Sequence, residues 1–240
     1  MANLFDDPVM AQFWAKLMRW TIALQQNPEW KKFNKEKMIY TLAYDKDSPD
    51  EDDERHVFGF DEKRAKEHAL IMSYVELIAC MNAITQCEYY FRRFPFRDFQ
   101  VSREDYLTRN CEVFFNKINE FRERIKNLGA ALKEVSPNKH FDTGKLIKQY
   151  NQSFKNELKE RNLLNHHTRF SDISFTRLSM IDTLDTLSVK IPFIDSSAVE
   201  YRRICRDWIK TVRKRGELVK VYLVKITEFL SANCEFLDQA

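Results

Sequence analysis

The chain has 240 residues, 44% of them hydrophobic and 31% charged, with a formal net charge of +3. This mixture is too apolar for intrinsic disorder, and a chain of this length buries about 70–75% of the surface its unfolded form exposes. Four glycines and six prolines are few turn residues for such a length, which argues against an all-β fold and for long helices.

Asp7 and Pro8 open a first helix, Asp as the N-cap and Pro in the first turn, with Phe13, Leu17, Trp20 and Leu24 as its apolar stripe. Pro28 interrupts it. Between Asp45 and Glu54 there are seven acidic residues and one lysine, the composition of a solvated loop. Asp61 starts a second helix running to about Phe91, with Leu70, Tyr74, Leu77, Met81, Ile84 and Glu88 on one face. The stretch Arg92 to Gln100 breaks at Pro95 and mixes arginine with aromatic residues. Ser102 with Asp105 three residues on resembles a capping box. The helix it opens carries Leu107, Cys111, Phe114, Ile118, Phe121, Ile125 and Leu128, a seam of alternating four- and three-residue steps.

Val135 to Gly144 is a connection. A fourth helix follows, with Ile147, Tyr150, Phe154 and Leu158 inward, ending near His167. Phe170 to Ser197 reads as a short helix or irregular passage with a break at Pro192. Ser196 or Ser197 then caps a last long helix whose seam is Cys205, Ile209, Val212, Gly216, Val219, Leu223, Ile226 and Leu230, with Gly216 marking a close helix contact. The expected fold is all-α: one up-and-down bundle of four to five long helices. Residues 1–60 would form an N-terminal helix plus acidic loop, and about 62–235 the core.

The five cysteines (Cys80, Cys87, Cys111, Cys205, Cys234) form no CxxC pair and suit buried helical positions. No basic segment followed by an apolar run opens the chain, and no run of about 18 apolar residues occurs. The expectation is a cytoplasmic protein without membrane association, metal or cofactor.

The fourth helix ends in Leu158-Lys159-Glu160-Arg161-Asn162-Leu163-Leu164-Asn165-His166-His167. At 100° per residue and with Leu158 as reference, Arg161 lies at about −60°, Asn162 at about +40°, Asn165 at about −20° and His166 at about +80°. His167 falls at about 180°, on the far side. The inward apolar stripe thus turns into a polar patch within one turn. Burying an unpaired guanidinium is costly, so either the helix end meets water or the patch is a site.

Arg161-Asn162 followed after four residues by His166 resembles the signature of the HEPN superfamily (higher eukaryotes and prokaryotes nucleotide-binding), an arginine, often a polar residue, then four to six residues to a histidine. Arg161 to His167 also fits, with five between. The likeness extends roughly from Glu62 to Leu230, including the long helix "DYLTRNCEVFFNKINEFRERI", but only the Arg–His segment is specific. Many members of that family are metal-independent endoribonucleases acting in toxin–antitoxin systems, antiviral defence or RNA processing. They usually dimerise so that two motifs share a cleft. Others are non-catalytic nucleotide- or partner-binding modules.

The resemblance implies RNA as substrate and a homodimer, with an antitoxin or other regulatory protein as a further partner. Arg161 would clamp phosphate, His166 would transfer protons and Asn162 would support them, with Asn165 and His167 as alternates. A candidate RNA-binding stripe lies on the last helix: Arg202, Arg203, Arg206, Lys210 and Arg213, continued by Lys214, Arg215, Lys220 and Lys225, against only Asp207 and Glu217.

Overall fold

In the computed structural model, residues 6–43, 58–92, 94–95, 101–136, 141–166 and 169–238 are described, without the side chains at 43, 165 and 166. The acidic run from Asp45 to Glu54, most of the segment after Phe94, and His167 lie outside the described residues. The chain is all-α. Its helices are α1 (Pro8–Gln26), α2 (Pro28–Ala43), α3 (Glu62–Tyr90), α4 (Arg103–Val135), α5 (Thr143–Ser153), α6 (Lys155–His166), α7 (Ile173–Thr186) and α8 (Ser197–Asn233), followed by a 3-10 turn at Glu235–Leu237. No strand occurs among the described residues.

The helix starts follow their sequence signals. The Asp7 carboxylate accepts from the Val9 and Met10 amides, and Asp61 accepts from the Arg64 amide. Ser102 and Asp105 form the expected box: the Ser102 hydroxyl accepts from the Asp105 amide at 2.9 Å and donates to its carboxylate at 2.7 Å. Pro28 ends α1 but also begins α2, a helix the apolar pattern did not announce. Asn27 caps it, its side-chain oxygen accepting from the Glu29 and Trp30 amides. The passage after Phe170 is a regular helix, α7, capped by Asp172. The start of α8 is held from α7, where Asp185 accepts the Ser197 amide at 2.9 Å.

By packing, the chain falls into two compact units. The first comprises residues 1–72, 131–141 and 224–240. Its core holds Met10, Phe13, Leu17, Trp20 and Leu24 of α1 with Leu70, Leu132, Ile226, Leu230 and Leu237. The Trp20 indole donates to Glu67, a buried carboxylate that also pairs with Arg64. Trp30, Phe58, Phe60 and His68 form an aromatic cluster beside it, with ring centroids 4.8–6.0 Å apart.

The second unit comprises residues 73–130 and 142–223. Every residue of the α4 seam from Leu107 to Leu128 is fully buried, and so are Leu77, Ile84, Tyr150, Phe154, Val212, Val219 and Leu223. All five cysteines are buried free thiols. Gly216 does sit at a close helix contact: a Cβ there would lie 3.0 Å from the Thr85 methyl of α3. Part of α3 is long and apolar enough to pass as a membrane span by composition, and half of that window is buried in the protein's own packing.

The expected fourth helix is two helices, broken at Phe154 (φ −114°, ψ 27°). No proline or glycine stands there. A side chain acts on the backbone instead: Arg215 of α8 donates to the Ser153 carbonyl at 3.3 Å, pairs with Glu157 at 2.5 Å and lies over the Phe154 ring. A donor inserted at the carbonyl row is an established cause of helix breaks. Glu157 and Leu158 are buried, so this node sets the direction in which α6 leaves the core.

Candidate functional site

The α6 helix begins at Lys155 just after the break and is regular through His166. Its inward side is made by Phe154, Glu157 and Leu158, with Arg161 and Leu164 half-buried. Taking Leu158 as zero, these positions centre near −60°, not at zero. Arg161 therefore lies in the middle of the inward side, whereas Asn162 is exposed. The expectation that both face inward holds for Arg161 only. The apolar stripe drifts because Glu157, a charged residue, occupies an inward position through its pairing with Arg215. The Arg161 guanidinium approaches the Asn162 side-chain oxygen at 3.5 Å, the outer limit of a hydrogen bond.

Asn162 lies on the rim of a shallow groove of about 430 Å³ lined by Arg122 of α4, Asn151 of α5, and Lys155, Leu158, Lys159, Asn162 and Leu163 of α6. Three cations, two amides and two leucines line it, with no carboxylate. On α6, positions 155, 159, 162 and 166 lie at about +60°, +100°, +40° and +80°. They form one line of about 16 Å along the axis. Lys155 and Lys159 are exposed and have no ion-pair partner among the described residues. Arg122 pairs with its neighbour Glu123 at 2.8 Å. Lys155 and Lys159 share the helix line of Asn162 and His166 and could have been read from their spacing. Arg122 and Asn151 could not, because other helices bring them there.

The stripe on α8 is exposed at Arg202, Arg203, Arg206, Lys210 and Arg213, but it is largely spoken for. Arg203 pairs with Glu200, Lys210 with Asp207 and Arg213 with buried Glu88, while Arg202 bonds the Ala198 carbonyl. The hydrogen bond from Arg213 holds the Glu88 carboxyl below the ordinary carboxylate range, against the opposing effect of burial and with help from Arg92. Arg215, which touches α6, stands about 160° around α8 from Arg213. The stripe and the α6 motif therefore occupy different sides of α8.

In the arginine-and-aromatic segment, Phe94 packs edge-on against Tyr106 and Tyr201, and Arg92 pairs with Glu88 and covers Tyr89. That part is a packed loop. No group of three or more His, Cys, Asp or Glu arranged to hold a metal ion occurs among the described residues. No protein-family model matches the chain, and neither a curated protein nor a solved structure matches it.

Proposed function

We propose that the chain is a metal-independent endoribonuclease of the HEPN type that works as a homodimer. The observation that carries this reading is the last turns of α6: Arg161 and Asn162 stand where the buried stripe ends, Asn162 rims a cationic groove, and the helix stays regular to His166. A phosphodiester in that groove can reach Asn162, and Lys155 and Lys159 stand beside it.

The chemistry needs few groups because RNA carries its own nucleophile. The 2′-oxygen attacks the adjacent phosphorus as a base takes its proton. The P–O5′ bond breaks and an acid protonates O5′, leaving a 2′,3′-cyclic phosphate and a 5′-hydroxyl. Arg161 neutralises the charge growing on the non-bridging oxygens, and Asn162 hydrogen-bonds the phosphate or the guanidinium. His166 moves a proton, its imidazole titrating close to neutrality. By helical spacing one chain supplies one such histidine position, 166, on the groove side, and two proton transfers are required. A second copy across a two-fold axis supplies the other.

The test is incubation of labelled RNA with the protein in EDTA, with light scattering on the same sample. Fragments ending in cyclic phosphate, from a dimeric protein, are expected. Binding without cleavage would instead make the chain a non-catalytic binding module. A monomer at micromolar concentration would remove the two-fold mechanism.

A further inference from the structure

We infer that the groove between α4, α5 and α6 is the track for the phosphate backbone of single-stranded RNA approaching the motif. This rests on the nuclease reading for the identity of the strand, but its physical basis is separate.

Four observations converge. The lining holds Lys155 and Lys159, with Arg122 paired to Glu123, and no carboxylate stands in the lining itself, so it attracts anions. Lys155 and Lys159 are exposed and have no ion-pair partner among the described residues, whereas Arg203, Lys210 and Arg213 on α8 are paired. A phosphate thus meets two ready cations in the groove, whereas on α8 it must displace carboxylates at Arg203, Lys210 and Arg213, with Arg202, Arg206 and Lys214 exposed and without an ion pair among the described residues. The line from Lys155 to position 166 is about 16 Å long, room for a few nucleotides ending at Asn162 and position 166. Finally, Asn151 lines the groove and its side-chain oxygen is buried with no hydrogen-bond partner. Rotation of the Asn151 amide to bring this oxygen to the groove surface lets a ribose 2′-hydroxyl donate to it, a group that DNA lacks. Leu158 and Leu163 offer apolar contact to ribose or base. The groove is open and shallow, suited to one strand rather than a duplex.

Binding is measured apart from cleavage in the full-length His166→Ala, His167→Ala double variant, using fluorescein-labelled decauridylate and anisotropy across a salt series. Adding Lys155→Gln or Lys159→Gln should each flatten the log–log salt slope by about 0.7 and weaken binding about fivefold at 0.1 M salt. Lys210→Gln and Lys214→Gln should change neither. Asn151→Ala should narrow the preference for decauridylate over its deoxy counterpart. Unchanged slopes in both groove variants, or loss confined to the α8 variants, overturns the track. Cleavage is scored on wild type alone. Cleavage with unaltered binding in the groove variants rejects the track and keeps the nuclease. Groove-dependent binding without cleavage rejects the nuclease and keeps the track.

Discussion

Replacing Arg215 by methionine tests the node that directs α6. The substitution keeps the apolar stem and removes the guanidinium. It leaves the Glu157 carboxylate, 6% exposed, without its 2.5 Å partner, and it strips the Ser153 carbonyl and the Phe154 ring of their donor and cation. Breaking a buried pair from one side typically costs 3–5 kcal/mol. The Arg215 side chain is 25% exposed, so solvent relieves part of this and about 3 kcal/mol is expected. For a chain of this size that corresponds to a fall in thermal midpoint of about 6–12 °C. Circular dichroism melts of wild type, Arg215→Met, Glu157→Gln and the double variant form a cycle. The double variant should recover part of the loss, because no buried charge remains unpaired. A midpoint within about 2 °C of wild type for Arg215→Met, or strictly additive effects in the cycle, would refute the account of the break at Phe154.

Arg161→Lys should keep the midpoint and lower the RNA cleavage rate in EDTA by about 10²–10³, since lysine cannot supply a planar two-pronged donor; a large fall in midpoint would make Arg161 structural. His166→Ala should abolish cleavage and His167→Ala should leave most of it, and the reverse would move the proton-transfer role to His167. Burial pushes the His68 pKa below its ordinary 6.5, so the unfolded chain binds that proton more tightly and stability falls as pH drops from 6.5 through the folded-state value. His68→Gln should flatten melting midpoints between pH 7 and 5; an unchanged pH profile would show that His68 does not contribute. Burial raises the thiol of Cys80 to about 12 and those of Cys87 and Cys205 to about 11, so a thiol reagent at pH 8 should react only after denaturation.

Helix class, most helix starts and the apolar seams are local properties, and the sequence by itself determined them. Asp7, Asp61 and Ser102 cap because their side chains reach amides two or three residues away, and the α4 seam follows from spacing alone. The Arg–His motif was equally legible, as was the line of Lys155, Lys159 and Asn162 in retrospect. The tertiary structure decided what depends on residues far apart in the chain. The break at Phe154 comes from Arg215, more than sixty positions on, bonding the Ser153 carbonyl. The same pairing buries Glu157 and rotates the inward side of α6, so that Asn162 faces solvent although a helical wheel centred on Leu158 turns it inward. Arg122 and Asn151 join Lys155 and Lys159 only because α4 and α5 pack beside α6. The basic stripe on α8 is continuous in sequence, but Arg203, Lys210, Arg213 and Arg215 are neutralised in space by carboxylates, because charge is a local property of a chain and its partners are not.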